Sequence, residues 1–420
     1  MEKPLLSSEK RSRRFYIAEA ALEYLISILV AGSFLATLTK ELGFSDSLTG
    51  ILSSFISLGC LFQLLSVALR PKKVKSVVIG LSIANQLLFM MLYVVPVFPV
   101  DRNVKIGLFI LFIFAAYLIY YIAHPKKVNW LMSLAADGNR GSFTANKEIV
   151  SLLSGMVFSF VMGSVSDHYA AIGKTGTAFA IMAAVIFTLT VAHTFSMVFT
   201  VEKQAAETHT ESLLHSMKAV LQNKKVLRIT LVFVMHHIAI GVCTPFYGTY
   251  QISELAFSLQ FVSLLTILSG AARILVSRFW GKYADKRSFA AMMEKCLGIL
   301  VLAFLCAAMA VPANGKLMFI LYYIFYGIAM GGVNSALTNL VFDYVPMEKR
   351  ADSLAVCQAV SGVAGFLTTV AASGLVTAIQ NGGNTLFGLP VYAQQAVSLL
   401  GAMLLVVTMI CVRKAGKTNE

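Results

Sequence analysis

Two acidic and two basic residues stand out because they lie within apolar stretches of the sequence. Glu19 and Glu23 are four residues apart, which places both carboxylates on one face of a helix. Lys126 and Lys127 follow a long apolar run and a proline, in the segment HPKKVNW. A lysine paired with a carboxylate away from water can exchange a proton or bind a polar solute. These residues therefore predict a buried site for proton transfer or solute binding.

The composition indicates that this site lies in a membrane protein. Of the 420 residues, 58% are hydrophobic and 13% are charged, and the mean hydropathy is +0.77. Soluble domains are roughly half apolar and roughly a quarter charged. Twelve apolar stretches reach the length of about 20 residues that a helix needs to cross a bilayer. We expect an all-α, multi-pass protein of the cell membrane, in a bacterium the plasma membrane, whose first span is retained and is not a cleaved signal peptide.

The formal net charge of +14 does not indicate a nucleic-acid-binding protein, because the basic residues alternate with the spans. Most Lys and Arg residues fall in the N-terminal tail and in every second loop, as in membrane proteins whose basic loops stay in the cytoplasm. Both termini are therefore predicted to be cytoplasmic. The six cysteines lie in apolar stretches without metal-ligand spacing, so we expect neither a metal ion nor a cofactor.

The longest hydrophilic stretch, from Val201 to Arg228, lies in the middle of the chain and follows six predicted spans. Its apolar residues recur at helical spacing, which predicts an amphipathic helix at the cytoplasmic surface. We predict a first six-helix bundle over 1–201, a linker over 202–226 and a second six-helix bundle over 227–420.

An internal repeat supports this division. A shift of 210 positions places Asn129 on Asn339 and Arg140 on Arg350, and it superimposes the fourth predicted span on the tenth. Parallel repeats of this kind occur in transporters that bind their solute between two halves, near the middle of the membrane.

The loop after the eighth predicted span contains a motif. It reads GKYADKR and has a glycine, an acidic residue and a basic residue at Gly281, Asp285 and Lys286. Ser288 follows, at a position where the family motif that this loop resembles has a second glycine. With the two sets of six spans, the basic loops and the central linker, this motif resembles the major facilitator superfamily. The resemblance implies alternating-access transport through a cavity lined by the first, fourth, seventh and tenth spans. It also implies a cytoplasmic gate, for which the candidates are Arg140, Glu148, Gly281, Asp285, Lys286 and Arg350.

Two placements are open for HPKKVNW. In the first, the fourth helix ends at Ala123 and both lysines lie in a cytoplasmic loop. In the second, the helix continues and the lysines lie deep in the membrane. The repeat favours the second placement, because Lys127 falls on Leu337, well inside the apolar tenth span. Charged groups at that depth cost roughly 2.5–3.5 kcal/mol each on insertion scales, so they face a partner or a cavity.

The deep placement predicts the sign of the solute. Glu23 is expected to pair with one of the two lysines, whereas Glu19 is expected to lie nearer the surface. Two lysines against one deep carboxylate leave a positive charge, which favours an anionic solute such as a carboxylate or a phosphate. The same pairing can release or bind a proton when solute binds, so we also expect proton coupling.

The seventh predicted span, VFVMHHIAIGVCTPFYGTY, carries His236 and His237. Histidine titrates near neutral pH and suits proton coupling or hydrogen bonding to a solute. Gly241, Pro245 and Gly248 predict a break in this helix. The proton-coupling candidates are Glu19, Glu23, His236 and His237. The solute-binding candidates are Glu23, His124, Lys126, Lys127, Asn129, Trp130, His236, His237, Tyr247, Arg273, Asn334 and Asn339, and for the neutral ones packing or interhelical bonding is the alternative.

These features predict a secondary active transporter for a small polar, anionic solute, coupled to protons and acting as a monomer in the lipid bilayer. The first alternative is a drug–proton antiporter of the same superfamily, although the fifth span, SLLSGMVFSFVMGSVSD, lacks the Gly-Pro pair typical of such antiporters. A membrane receptor that does not transport, or a membrane-embedded enzyme, is a more distant alternative, since no metal or phosphate-binding motif indicates enzymatic chemistry.

Overall fold

The computed structural model describes residues 7–63, 65, 73–132, 140–202, 224–344, 350–386 and 388–416. Within these ranges, ten helices are long and apolar enough to cross a membrane. The number becomes eleven if the bent pair Arg11–Leu29 and Gly32–Glu41 is counted as one span. The all-α, multi-pass membrane fold is confirmed. The count of twelve spans and the cytoplasmic position of both termini stay predictions.

The chain forms two compact units of helices. In chain order the helices are α1 (Ser7–Leu29), α2 (Gly32–Glu41), α3 (Asp46–Ser53), α4 (Phe55–Phe62), α5 (Val74–Val94), α6 (Arg102–Met132), α7 (Arg140–Ala171), α8 (Thr175–Val198), α9 (Lys224–Gly241), α10 (Tyr247–Thr249), α11 (Leu259–Lys286), α12 (Phe289–Ala308), α13 (Gly315–Tyr344), α14 (Arg350–Asn381) and α15 (Ala393–Gly416). Two short strands, β1 (Thr385–Leu386) and β2 (Leu389–Pro390), form an antiparallel hairpin between α14 and α15.

Each unit takes a short segment from the other half of the sequence. Unit 1 consists of Met1–Gly43, Phe62–Thr208 and Ser258–Ser263, and unit 2 consists of Phe44–Leu61, His209–Phe257 and Leu264–Glu420. Unit 1 therefore holds α1, α2, α5 to α8 and the start of α11. Most of the linker expected over 202–226, with its amphipathic helix, lies outside the described residues, and the division into 1–201 and 227–420 stays a prediction.

Unit 1 is held together by helix packing and by polar side chains that bond to the backbone of neighbouring helices. Helix α1 packs on α7 and α8, and α5 packs on α6 and α8. Asn85 on α5 donates to the carbonyl of Ala116 on α6 over 2.8 Å. The Tyr93 hydroxyl donates to the carbonyl of Leu29 over 2.5 Å. Each bond satisfies a polar group inside an apolar unit, where an unpaired group is costly.

In unit 2, α12 packs on α13 and α15, and α9 packs on α14 and α15. Helix α3, from the first half of the sequence, lies against α14. The Asp46 carboxylate at its start accepts hydrogen bonds from the side chains of Gln380 over 2.9 Å and Gln394 over 2.7 Å. Ser47 donates to the carbonyl of Ser373 over 2.8 Å. These bonds fix the N-terminal end of α3 in unit 2.

The break predicted in the seventh span is confirmed. Helix α9 ends at Gly241, a 3-10 turn over Thr244–Phe246 contains Pro245, and a π-helical turn covers Tyr250–Glu254. Proline removes one backbone donor and blocks the preceding helical bond, so the chain changes its helical pitch here.

A close backbone approach between two helices of unit 2 is set by a glycine. A Cβ atom added to Gly327 on α13 would lie 2.3 Å from the backbone oxygen of Ser269 on α11. We expect Gly327→Ala to lower the free energy of unfolding by about 1–3 kcal/mol, because the two backbones must separate. A thermal unfolding assay of the purified protein measures this change.

The matched control is Gly374→Ala on α14, where an added Cβ would meet no atom within 4 Å. Alanine is favoured over glycine in a helix by about 1 kcal/mol, so this variant should be as stable as the original protein or more stable. Equal stability of the two variants would contradict the close approach.

Candidate solute and proton site

Helix α6 continues without interruption from Arg102 through Pro125 to Met132. The placement in which the helix ends at Ala123 is therefore wrong, and HPKKVNW is helical. The apolar stretch long enough to cross a membrane runs from Arg102 to Val128, so it includes both Lys126 and Lys127. The helix is thus continuous through both lysines, and their depth in the membrane stays a prediction.

Lys127 is the centre of a buried ionic cluster in unit 1. Only 4% of the residue is exposed. Its ammonium group donates to Glu23 Oε2 over 2.6 Å and forms a second ion pair with Glu19 Oε1. The same Glu19 oxygen lies 3.0 Å from Nε2 of His193 on α8. Helices α1, α6 and α8 thus bring two carboxylates, one ammonium and one imidazole into direct contact.

The position of Glu19 differs from the sequence-based expectation. The sequence predicts that Glu23 pairs with a lysine and that Glu19 lies nearer the membrane surface. In the structure Glu19 also pairs with Lys127, and its side chain is 1% exposed, whereas that of Glu23 is 21% exposed. The physical reason is the packing of α8 on α1, which places His193, itself 0% exposed, over the Glu19 carboxylate. Glu19 is the inner member of the pair, and Glu23 is the outer one. The depth of the two residues in the membrane stays a prediction.

The charge balance also differs from the expectation. Two carboxylates surround Lys127, so these three groups together carry one negative charge rather than an excess positive charge. Neighbouring residues on a helix point about 100° apart, which directs Lys126 away from this cluster. Lys126 is half-buried and forms no ion pair within the part of the chain that the structure describes.

A small pocket opens beside the outer half of the cluster. It is lined by eight residues: Glu23, Leu81, Ser82, Asn85, Tyr120, Ala123, His124 and Lys127. Its volume is about 10 Å³, which is room for about one water molecule. The His124 ring lies 5.2 Å from the Tyr120 ring, and its Nδ1 atom is buried with no hydrogen-bond partner among the described residues. The pocket therefore presents both charged and neutral polar groups on one side of Lys127.

The cluster contains the atoms of a metal site, but a lysine supplies the positive charge. One ligand atom each from Glu19, Glu23 and His193 lies within 4.8 Å of the others. The Lys127 ammonium group contacts both carboxylates. Because a metal ion would have to displace this ammonium group, the arrangement is that of an internal ion pair.

The other candidates of unit 1 lie in the packed core, on the surface or outside the described residues. The Trp130 indole donates to the carbonyl of Val201 over 3.1 Å and packs in a core cluster with Tyr16, Leu131 and Phe143. It does not line the pocket. Glu148 is exposed on α7. The side chains of Asn129 and Arg140 lie outside the described residues.

Among the described residues, the candidates of unit 2 lie on several different helices. His236 is 5% exposed, and Nδ1 of the half-buried His237 lies 2.9 Å from the carbonyl of Phe233. The Tyr247 hydroxyl bonds to the Ser398 hydroxyl over 2.9 Å. Arg273 is half-buried on α11.

Two asparagines and the gate motif complete the candidates of unit 2. Asn334 is exposed, and Asn339 donates to the carbonyl of Ser335 within α13 over 2.8 Å. Gly281, Asp285 and Lys286 are exposed at the end of α11, and the side chain of Arg350 is not described. Ser288, which departs from the glycine of the motif, caps α12 by accepting from the Ala291 N–H over 3.0 Å.

Sequence reasoning does not single out His193, Ser82 or Asn85. His193 stands alone in the apolar segment TVAHTFS, and an isolated ionisable residue inside a span is itself a signal of a partner in the membrane. What the sequence lacks is the identity of that partner, which lies 174 positions away.

The helices and the buried ion pair define a polytopic membrane protein with an ionic site in its first helical unit. The chain belongs to the Major Facilitator Superfamily, whose family model matches residues 20–369. It is therefore a transporter of small-molecule solutes across a membrane by family and fold.

Solved structures with the same fold include three transporters of low sequence identity. A mutant form of the nucleoside transporter NupG matches with a TM-score of 0.72 and 16% identity, covering 96% of this chain and 99% of that one. The POT family transporter PepTSo matches with a TM-score of 0.72 and 12% identity, covering 98% and 99%. A D-xylose-proton symporter matches with a TM-score of 0.65 and 12% identity, covering 95% and 97%. A search of curated proteins finds no match to the sequence.

The ion pairs of Lys127 predict a large effect on stability. Lys127→Met leaves the buried Glu19 and the partly exposed Glu23 without their cation, and removing one partner of a buried pair costs about 3–5 kcal/mol. We expect a marked fall in the unfolding midpoint of the purified protein near neutral pH, measured by thermal unfolding.

Lys126→Met is the matched control, since it removes the same charge one residue earlier in the same helix. It should leave the midpoint nearly unchanged. The double variant Lys127→Met with Glu19→Gln should recover part of the loss, because it removes one of the two unpaired carboxylates. An equal loss for the two lysine variants would contradict the pairing.

Proposed function

We propose that this chain is a proton-coupled secondary transporter that moves a small polar solute by alternating access. The observation that carries this proposal is the buried Glu19–Lys127–Glu23 cluster beside a polar pocket. Ionisable groups buried in a membrane span are costly and are typical of proton and solute pathways. No chemical role other than binding and proton exchange is needed for this set of residues.

In the proposed coupling, protons and solute each weaken the ion pairs that Glu19 and Glu23 form with Lys127. With both carboxylates ionised, the ammonium group bridges Glu19 and Glu23. A proton on either carboxylate removes one of its two partners, which loosens Lys127 and alters the side of the pocket that Glu23 and Lys127 form. A solute that hydrogen-bonds to Glu23 or Lys127 has the same effect from the pocket side. Proton binding and solute binding are thereby linked, and linkage of this kind acts equally in both directions.

The proposed solute is polar and uncharged. Within the pocket lining, the charges of Glu23 and Lys127 compensate each other, and Ser82, Asn85 and His124 add neutral hydrogen-bonding groups. The remaining negative charge of the cluster lies on Glu19, which does not line the pocket. A charged solute would have to break the ion pair or remain without a counter-charge in a buried site, which is unfavourable. Glu23, His124 and Lys127 are the solute-binding residues that we retain from the sequence.

The anionic solute expected from the sequence stays as the second candidate, because Lys126 is half-buried and forms no ion pair among the described residues. The drug–proton antiporter stays as the third hypothesis, and a cationic dye tests it. The three alternatives differ in the charge of the ligand, so one set of probe compounds separates them.

A thermal-shift panel distinguishes these solutes. Purified protein is heated with D-xylose, uridine, succinate, glucose 6-phosphate or ethidium. We expect stabilisation by uncharged compounds, since a ligand at about 100 times its Kd contributes about 2.7 kcal/mol to the folded state. Glu23→Gln should lose this stabilisation, whereas Glu41→Gln, which changes an exposed carboxylate of the same unit, should keep it. Stabilisation by anions alone would favour the second candidate, and stabilisation by ethidium alone would favour the antiporter.

Proton coupling is tested by transport. Proteoliposomes are loaded at one pH and diluted into buffer of another pH, and uptake of the radiolabelled compounds of the panel is followed. We expect accumulation only with the pH gradient and its loss when a protonophore collapses that gradient. Lys126→Met should accumulate solute like the original protein if the uncharged solute is correct. Equal accumulation with and without the gradient would contradict proton coupling.

A further inference from the structure

We propose that Glu19 and His193 together hold the coupling proton, while Glu23, on the pocket side of Lys127, meets the solute. This inference rests on the proton coupling proposed above and assigns the proton to one pair of side chains. In this assignment His193 is a positioning residue that shares the proton with Glu19 and does not contact the solute.

The first support is the placement of His193. The residue is 0% exposed in an apolar helix, and its Nε2 atom lies 3.0 Å from Glu19 Oε1. Its Nδ1 atom has no hydrogen-bond partner among the described residues. Its one hydrogen bond within that part of the chain is thus with Glu19. An imidazole that served only to fill space would bury two polar nitrogen atoms without compensation, which is costly.

The second support is the charge of the cluster. Glu19 and Glu23 contribute two negative charges and Lys127 contributes one positive charge, which leaves one negative charge when His193 is neutral. Oε2 of Glu19 is buried and lacks a partner within the described part of the chain. One added proton, on the imidazole or on the carboxylate, makes the cluster neutral. The geometry therefore fits the uptake of one proton and not of two.

The third support is the difference in exposure between the two carboxylates. The Glu23 side chain is 21% exposed and lines the pocket, whereas that of Glu19 is 1% exposed and does not line it. A solute in the pocket can reach Glu23 without contact with Glu19. Lys127, which pairs with both, connects the two sites. A proton on the Glu19–His193 pair weakens the ion pair between Glu19 and Lys127, so that the ammonium group pairs mainly with Glu23.

Other ionisable groups surround Glu19 and compete for this role. Those that act on Glu19 or on its ionic partners in the described structure include Tyr16 and Glu23 on α1, Tyr120, His124 and Lys127 on α6, Lys147 on α7 and His193 on α8. Among these, only the two histidines change charge near neutral pH in their ordinary state. His124 lies at the pocket and has no hydrogen bond to Glu19 in the described structure. It is therefore the comparison residue for the test.

The test uses the pH dependence of stability and requires no ligand. His193→Gln keeps a hydrogen-bond donor near Glu19 but cannot bind a proton. If the folded protein holds a proton on this pair, the original protein gains stability relative to His193→Gln as the pH falls. We expect the difference between their unfolding midpoints to be larger at about pH 5.5 than at about pH 8, by about 2 °C or more. In a Glu19→Gln background this gain at low pH should disappear.

Two variants serve as controls. The first is Thr190→Val on the same helix as His193. Thr190 is 4% exposed and, among the described residues, bonds only to the carbonyl of Ile186. The difference in unfolding midpoint between the original protein and Thr190→Val should not depend on pH. His124→Gln should likewise leave the low-pH gain intact. A midpoint difference between the original protein and His193→Gln that is constant with pH would overturn the proposal, because it would show a purely structural role. Loss of the gain in His124→Gln would also overturn it.

The transport assay separates failure of this inference from failure of the proposed function. If the original protein needs the pH gradient but His193→Gln shows a pH-independent stability difference, proton coupling stands and the proton site lies elsewhere. If the original protein accumulates solute without a gradient, the proposed proton coupling itself is contradicted, whatever the stability of His193→Gln. If both assays behave as expected, His193→Gln should also lose gradient-driven accumulation at least about tenfold, which corresponds to about 1.4 kcal/mol of lost coupling.

Discussion

Three ionised side chains must be kept together inside a structure that otherwise buries apolar surface. Lys127 and Glu19 are almost fully shielded from solvent, and an unpaired ion is strongly unfavourable there. Lys127 satisfies this constraint by contacting Glu19 and Glu23 at once. The pairing requires that side chains from α1 and α6 reach each other and that α8 covers the inner carboxylate.

Packing around the cluster restricts how the ions can move. The core of Tyr16, Val78, Trp130, Leu131, Phe143 and Met197 lies close to it on the helices of unit 1. Trp130, three residues after Lys127, is anchored by its bond to the carbonyl of Val201. We expect this close-packed core to leave the Lys127 side chain and the proton content of its partners as the parts that change most readily. Small changes in charge can then produce a discrete change in structure, because packed interiors do not deform continuously.

Several features of the fold and the site were predictable because they depend on local sequence. The continuous helix through HPKKVNW follows from the apolar repeat, and the break near Pro245 follows from the chemistry of proline. The pairing of a lysine with Glu23 follows from the cost of burying charge. By contrast, the expectation of an excess positive charge left Glu19 out of the pairing. The contact of Glu19 with Lys127 depends on how α6 and α8 meet α1, which the distance of Glu19 from the nearest arginine does not show.

Hydropathy and charge distribution show, position by position, that this chain crosses a membrane many times and carries ionisable groups within its spans. The repeat and the loop motif add the resemblance to the superfamily. The enclosure of one carboxylate, the choice of the paired lysine and the contact of His193 with them become visible in the folded chain. Those outcomes depend on contacts between α1, α6 and α8, whose residues are separated by 104 and 174 positions. No local pattern encodes such contacts, because each helix satisfies its own backbone and leaves its side-chain partners to packing.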